Sequence, residues 1–329
     1  MKSKMIMNSI VLKEITTMTR YSAYALAFSL VLILSSVSQT QAQAAKADGP
    51  KAFATAAEAV DAIIAATETF DENALAVILG SANSDLYHTG EPVADRAVLS
   101  EFARLGREKK TIITDKKNPN RAFVQVGDED WPCPIPLVRK GGKWYFDAAA
   151  GRQELLFRRI GRNELDAIQI CRGFVEAQHE YALQKHDGAP VNQYAQHIIS
   201  TVGKQDGLAW RKPDGTWDGP VGENIAKVIE QGYSEKATPF HGYYFKVLKG
   251  QGPAAPMGTM NFVVNGYMIG GFALIAFPSQ YNVTGVKTFM VSHDGVVYEK
   301  NLGPNTLESA KGIELFNPDK TWTPVLKDE

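Results

Sequence analysis

Two histidines in the C-terminal half flank predicted strands and could carry chemistry if those strand ends converge. His241 and His293 are these residues, and Asp294 follows the second one directly. Together they would form a His-His-Asp surface site for a metal ion or for proton transfer. No local cluster in the chain matches a known catalytic or metal-binding motif. The three residues are therefore candidate ligand-binding residues, and the sequence predicts no metal and no cofactor.

A second candidate group lies in the N-terminal half, where His88, Asp130 and Trp131 could line a ligand pocket. His88 has no histidine, cysteine or carboxylate beside it at ligand spacing, and a lone histidine indicates a site only weakly. The alternative is structural. Trp131 and Trp144 would fill the interior, while the prolines at positions 132, 134 and 136 would keep an edge strand extended. The pattern favours this structural alternative.

The only two cysteines, Cys133 and Cys171, allow a single disulfide in an exported protein. Cys171 lies on the apolar face of a predicted helix and Cys133 lies among prolines, so the pattern favours two unpaired thiols. The chain has no Gly-x-Ser-x-Gly motif, phosphate-binding glycine loop or calcium loop. The sequence therefore does not identify a biochemical activity.

Residues 1–44 have the pattern of an export signal. Four basic residues precede an apolar run of about 17 residues, and Ala42-Gln43-Ala44 is a small-x-small cleavage site. An uncleaved anchor is the alternative, although a run of this length is short for a membrane span. Translation from Met18 also stays open. We predict cleavage after Ala44, export to the periplasm and no membrane span in the mature chain.

The charge balance argues against nucleic acid as a partner. Removing residues 1–44 leaves 31 basic and 35 acidic side chains, a net charge near −4. A protein that follows a phosphate backbone needs a concentrated basic surface. The densest basic runs here are short and mixed with acidic residues. An envelope protein or a small ligand is the expected partner, and the sequence does not predict the oligomeric state.

The length and the order of elements predict two domains. About 285 mature residues exceed the usual size of a single core. Helical patterns followed by strand patterns occur twice along the chain, which predicts two α+β domains. We place these domains at residues 53–151 and 153–329.

In the first predicted domain, Thr55 and Glu58 form a capping box at the start of a helix. Asp71 begins a second helix, and residues 95–106 form a third. The face at helical spacing in the first two helices comprises Val60, Ile63, Ile64, Thr67, Leu75, Val77, Ile78 and Leu79. Strands are predicted at residues 111–114, 121–126, 135–139 and 143–147, with Gly141-Gly142 as a hairpin turn.

The second predicted domain begins with a helical stretch at residues 153–184, which Gly161 and Gly173 interrupt and Asn163 caps. Its apolar face comprises Leu165, Ile168, Cys171, Val175, Gln178 and Ala182. Exposed ion pairs are expected among Glu154, Arg158, Arg159, Arg162 and Glu164. Strands are predicted at residues 242–249, 262–264, 270–277, 286–292 and 296–300, and Asp294-Gly295 is a hairpin signal.

Two partial resemblances refine this α+β fold class. The helix RNELDAIQICRGFVEAQHEY at residues 162–181 and the aromatic strands within residues 242–295 resemble the head of a type IV pilin or pseudopilin. The N-terminal order of helices and strands resembles the nuclear-transport-factor-2-like cone. These resemblances imply a cone followed by a long helix packed on an antiparallel sheet. A whole domain stands where a pilin has its apolar half-helix, so pilin-like polymerisation is not expected.

A resemblance along the whole mature chain rests on six short motifs: Asp130-Trp131-Pro132, Ile135-Pro136-Leu137-Val138, Gly161-Arg162-Asn163-Glu164-Leu165, His241-Gly242-Tyr243-Tyr244-Phe245, Gly252-Pro253-Ala254-Ala255-Pro256 and Gly270-Gly271-Phe272-Ala273. They resemble the bacterial exported family called domain of unknown function 2950. Cys133 departs from this pattern, because the resemblance implies an aromatic residue there. The family supplies no catalytic residues.

From these patterns we predict a non-enzymatic binding or scaffold protein of the periplasm and envelope. The alternative is a periplasmic hydrolase or ligand-processing enzyme with its pocket in the N-terminal domain.

Overall fold

The computed structural model describes residues 49–88, 92–222 and 239–326. The architecture is mixed α and β, with antiparallel sheets and one long helix. Contacts divide the chain into two compact units, an N-terminal unit that ends at Arg158 and a C-terminal unit that begins at Arg159. The predicted export signal lies outside the described residues, and the predicted domain limits stay a prediction.

The N-terminal unit begins with three α-helices and a 3-10 helix. They are α1 (Ala56–Glu68), α2 (Glu72–Leu79), a 3-10 helix (Ser81–Leu86) and α3 (Pro92–Glu108). The predicted N-cap is confirmed, because the Glu58 amide donates to Thr55 Oγ1; the Glu58 carboxylate in turn accepts from the amide of Ala54 and not from that of Thr55. Asp71 caps α2, also as predicted. The prediction for Val77 is wrong, because this side chain is half exposed at the surface of α2.

A five-stranded antiparallel sheet completes the N-terminal unit. Its strands are β1 (Lys110–Thr114), β2 (Arg121–Val126), β3 (Trp131–Pro132), β4 (Leu137–Lys140) and β5 (Lys143–Phe146), in the order β1-β2-β4-β5 with β3 paired to β2. Gly141 and Gly142 both have positive φ and form the predicted hairpin turn between β4 and β5. The core between helices and sheet includes Ile64, Leu75, Val124 and Leu137, all fully or almost fully buried.

Helix α4 (Ala148–Tyr181) is longer than predicted and continuous. The predicted interruptions at Gly161 and Gly173 are wrong, since an interior glycine costs a helix only about 1 kcal/mol. Asn163 lies inside the helix and is therefore not its cap. Within the described ranges, no helix is both long enough and apolar enough to cross a membrane.

Packing of α4 agrees with most of the predicted apolar face. Cys171 and Gln178 are fully buried, and the two polar atoms of the Gln178 amide pair with the backbone N–H and C=O of Ala195. The prediction that Leu165 belongs to the buried face is wrong, because its side chain remains 62% exposed. The predicted ion pair between Glu154 and Arg158 is present.

The C-terminal unit is built on a five-stranded antiparallel sheet. Its strands are β9 (Tyr243–Leu248), β14 (Ala273–Pro278), β15 (Thr288–Ser292), β16 (Val297–Lys300) and β17 (Thr323–Pro324), in the order β17-β16-β15-β14-β9. Strands β14 and β15 are buried along their whole length, so both faces of the sheet centre are covered. Phe174 of α4 packs edge-on against Phe272, next to the start of β14.

A short helix and the chain after it lie on the face of this sheet that carries Lys246 and Met290. Helix α5 (Thr306–Lys311) contacts β14, and Lys246 of β9 donates to the Lys311 carbonyl. Sequence patterns predicted neither α5 nor β17. Smaller paired strands complete the unit, namely β6 (His197–Ile199), β7 (Gly207–Arg211), β8 (Trp217–Asp218), β10 (Gly250–Gln251), β11 (Met260–Asn261), β12 (Val263–Val264) and β13 (Tyr267–Met268).

Candidate functional site

The candidate site begins with a tight turn that leads into β9. Phe240 and Tyr243 exchange two backbone hydrogen bonds of 3.0 and 2.9 Å around the two residues between them. These residues, His241 and Gly242, have φ values of 47° and 74°. A two-residue loop with positive φ at both positions is a type I′ turn, which Asn-Gly suits best. His241 therefore holds a backbone conformation that is unfavourable for a histidine by about 1 kcal/mol.

The His241 side chain is held by a carboxylate of helix α4. Its Nδ1 atom lies 2.6 Å from Asp166 Oδ2, and both side chains are largely buried. An ionised carboxylate can only accept hydrogen bonds, so Nδ1 carries a proton and Nε2 is left to accept or donate one. Such a pair can act in acid–base chemistry, because the carboxylate fixes the tautomer and orientation of the imidazole.

Two neighbouring residues of α4 bind the loop at residues 279–287. Asn163 Nδ2 donates to the Thr284 carbonyl at 2.8 Å. Glu164 Oε1 accepts from the amides of Val286 and Lys287 at 2.8 and 3.0 Å. Among the described residues Glu164 is not in the exposed ion pair that its spacing predicted, and its Oε1 atom binds these two amides instead. We call Asn163, Glu164 and Asp166 the α4 clamp.

The turn and the clamp pack so closely that Gly242 is required on two grounds. A Cβ atom at this position would lie 2.7 Å from Asn163 Nδ2 and 2.7 Å from Thr284 Cβ. Its positive φ of 74° also disfavours any side chain. Tyr243, the next residue, donates its hydroxyl to the Lys287 carbonyl, and burial raises the pKa of this phenol. The clamp, the turn and the loop thus form one hydrogen-bonded assembly.

The sheet register keeps the two predicted histidines apart. His241 precedes Tyr243, which pairs with Pro278 at one end of β14, and His293 follows Ser292, which pairs with Ala273 at the other end. The length of this strand separates the two ends by roughly 17 Å. The strand ends therefore do not converge into the predicted His-His-Asp site. In the described parts of the chain, no group of three His, Cys, Asp or Glu residues could hold a metal ion.

His293 and Asp294 have their own surroundings at the far end of β15. The His293 ring packs edge-on against Phe262 and Phe272, and its buried Nδ1 atom has no hydrogen-bond partner among the described residues. Asp294 accepts from Ser292 Oγ and from the Val296 amide. The predicted hairpin between β15 and β16 is present, but only Gly295 of the Asp-Gly pair has a positive φ.

The N-terminal candidates have separate partners. His88 lies 3.6 Å from Glu72, whereas Asp130 forms an ion pair with Lys109 at 2.8 Å. Trp131 is 41% exposed, and the Arg158 guanidinium lies 5.2 Å from its ring centroid. The prediction that Trp131 fills the interior is therefore wrong, because β3 is exposed at the sheet edge. Trp144 does pack against the core of this unit.

The two thiols are buried and unpaired. Burial raises the pKa of Cys133 from 9.0 to about 11 and that of Cys171 from 9.0 to about 12. Neither thiol is therefore an active nucleophile near neutral pH, since the thiolate is the reactive form.

A groove of about 410 Å³ opens in the C-terminal unit, on the face that α5 covers. We call it the C-terminal groove. It is lined by Met290, Lys300, Leu302, Gly312, Ile313, Glu314, Leu315, Asn317 and Trp322. The volume lies in the range of small-molecule sites, and a mostly apolar lining with a few polar groups is typical of them.

The chain matches a protein-family model described as Protein of unknown function (DUF2950) over residues 50–325. This chain belongs to the DUF2950 family. No curated protein and no solved structure matches it. Two of the motifs by which the sequence resembles this family, at residues 161–165 and 241–245, meet in space, because Asn163 and Glu164 bind the loop beside the His241 turn.

Sequence reasoning missed Asp166, Lys300 and Trp322 as site residues. In the Phe-His-Gly-Tyr turn, the histidine is the first of the two loop residues and holds a strained backbone conformation. Such a histidine signals that another group stabilises its side chain, and this signal could have prompted a search for a carboxylate. Nothing local could have indicated Asp166 itself, because it stands 75 residues from His241. The groove residues belong to β15, β16, the link between β16 and α5, and the segment after α5, which no sequence pattern brings together.

Proposed function

We propose that this protein is exported by a cleavable signal and acts in the periplasm or envelope as a binding or scaffold protein, without catalysis. The observation that carries the proposal is the C-terminal groove, which combines apolar walls with Lys300, Glu314 and Asn317 at its sides. A lining of this kind suits a bound small molecule or an inserted side chain of a partner. The mildly acidic mature chain suits neither DNA nor RNA.

The finer fold assignments belong to the same proposal. The three helices followed by an antiparallel sheet support a nuclear-transport-factor-2-like cone for residues 53–151. Helix α4 beside the antiparallel sheet β17-β16-β15-β14-β9 supports a pilin-head-like fold for residues 153–329. In this assignment both domains are stable bodies, and the second presents the groove.

Gly312 offers a direct test of the binding function. It lines the groove, has a φ of −75°, and a Cβ there would have no atom closer than 3.5 Å. Gly312→Trp should therefore occupy the groove without backbone strain, and Gly312→Ala is the matched control. We expect native mass spectrometry and cross-linked capture from envelope extracts to recover a ligand or partner with the wild type and Gly312→Ala, but not with Gly312→Trp.

Turnover of a cell-wall or small-molecule substrate that Gly312→Trp leaves unchanged would contradict the binding function. Export has its own test: N-terminal sequencing of protein from the periplasmic fraction should begin at Ala45. An intact N-terminus in the membrane fraction would contradict signal cleavage.

A second candidate function, acid–base hydrolysis, is favoured by the His241–Asp166 pair. In this function Nε2 of His241 would take a proton from water or a substrate hydroxyl while Asp166 stabilises the cation. Asp166→Asn would keep a hydrogen-bonding group beside Nδ1 but would remove the negative charge that stabilises the protonated imidazole. Hydrolysis of ester or amide probes that falls about 100-fold or more in this variant would support the enzyme. Equal rates in both proteins would exclude this role for the pair.

A further inference from the structure

We propose that the C-terminal groove binds a small amphiphilic anion, with an apolar body and one carboxylate, and that Lys300 recognises the carboxylate. This inference rests on the proposed binding function and names its ligand class.

The apolar body is matched by the walls of the groove. Met290 and Trp322 are buried at its base, and Leu302 and Ile313 are partly buried beside them. Leu315 is 45% exposed at the opening. Covering the exposed parts of Leu302, Ile313 and Leu315 with an apolar ligand removes them from water, which favours binding in proportion to the area buried.

Lys300 is the group in the groove lining that can bind an anion. Lys300 Nζ donates to Thr321 Oγ1 at 2.7 Å and lies 5.7 Å from the centroid of the Trp322 ring. An ammonium group has three donors, so this bond leaves two for a ligand. The acid in the lining, Glu314, is already paired with Lys246 at 2.9 Å. Asp319 accepts hydrogen bonds from the Thr321 amide and hydroxyl, and these bonds, with a smaller contribution from the charge of Lys300, lower its pKa.

The sheet face that carries Lys300 also carries the hydroxyl of Thr288. Thr288 stands directly opposite Lys300 in the β15–β16 register, two residues from Met290. Cross-strand partners and residues two apart share one face of a sheet. Thr288 is fully buried, and its Oγ1 has no hydrogen-bond partner within the described chain. Thr288 is not among the residues that line the groove, so a ligand bound there would not contact this hydroxyl, and Lys300 is the polar contact that carries the proposal.

The test compares three probes that share one apolar body and differ in the head group: octanoate, octanol and octylamine. Isothermal titration calorimetry of the purified chain should show that octanoate binds most tightly. Lys300→Met should weaken octanoate roughly tenfold or more, because it removes a charge-assisted hydrogen bond. Lys311→Met is the matched control, since it removes the same charge from an exposed pair with Glu308 outside the groove lining.

Suppose that octanol or octylamine binds as tightly as octanoate and that Gly312→Trp abolishes the binding of every probe. This result would overturn the anionic ligand class but would keep the binding function. Equal losses in Lys300→Met and Lys311→Met would overturn the role of Lys300. If no probe binds, the small-anion proposal fails. The binding function would still stand if the wild type captures a partner that Gly312→Trp does not. If Lys300→Met does not fold, Lys300→Gln, which removes the charge but keeps a polar end group, should still weaken octanoate relative to octanol.

Discussion

His241 Nδ1 lies 2.6 Å from Asp166 Oδ2, across 75 residues of sequence. The contact fixes a histidine in a left-handed turn at the start of β9 to the middle of a helix. Its neighbours Asn163 and Glu164 hold the loop at residues 279–287 by three further hydrogen bonds. One turn of α4 therefore fixes two chain reversals at the same end of the sheet.

The coupling between His241 and Asp166 can be measured by a double-mutant cycle. Asp166→Ala should lower the free energy of unfolding by about 1–3 kcal/mol, because it leaves a largely buried imidazole nitrogen unpaired. His241→Asn should cost less, since asparagine tolerates the turn conformation. Denaturant titrations of the single and double variants should give a coupling of roughly 1 kcal/mol. Strict additivity would show that the contact adds nothing to stability.

Gly242 should be more sensitive to substitution than a glycine with the same backbone conformation in open space. Gly242→Ala adds a clash with Asn163 and Thr284 to the backbone cost, whereas Gly295 has the same φ of 74° and no atom within 4 Å of an added Cβ. We expect Gly295→Ala to cost about 1 kcal/mol and Gly242→Ala at least about twice as much. Thermal unfolding of both variants measures the difference. Equal costs would mean that the loop moves away freely.

The two cysteines should be inert in the folded protein. Both thiols are unpaired and buried, and burial raises the pKa of each well above its ordinary value. Iodoacetamide at about pH 8 should therefore modify neither thiol in the native protein and both in denaturant. Mass spectrometry counts the additions. A disulfide in protein isolated from the periplasm, or fast labelling of the native form, would contradict the buried thiols.

Cys171 should also make stability depend on alkaline pH. Its thiol ionises near pH 9.0 when unfolded but only near pH 12 when folded, so the folded state binds more protons between these values. Stability contributed by this thiol is fully present below about pH 9 and is lost above it, by roughly 1.4 kcal/mol per pH unit. Cys171→Ala should flatten this decline relative to the wild type in denaturant titrations at about pH 8 and pH 10. Parallel declines would contradict the raised pKa.

Local signals in the sequence predicted the elements of the N-terminal unit well. Thr55, Asp71 and Gly141-Gly142 act through hydrogen bonds and dihedral angles within a few residues, so their effect is visible without the rest of the fold. Helix α4 was harder to predict. Glycines at 161 and 173 weaken a helix locally, but packing of Cys171, Phe174 and Gln178 within the core of the C-terminal unit outweighs that cost.

The candidate site depended on long-range register, which local patterns do not contain. The sequence identified His241 as a candidate but associated it with His293, because both flank strands. Antiparallel pairing of β9 and β15 with β14 places them at opposite ends. Asp166 could be found only once α4 was known to pass the turn. Helix α5 is six residues long, with too short a pattern to detect.

Helix α4 has one more consequence for experiments on this protein. The division between the two compact units falls inside it, between Arg158 and Arg159. A fragment that ends at residue 152 would keep only the first five residues of α4, which are too few to form a stable helix alone. The rest of α4 would stay with the C-terminal fragment, so both fragments would end inside the helix. To express either unit alone, one must first decide which fragment carries the whole of α4.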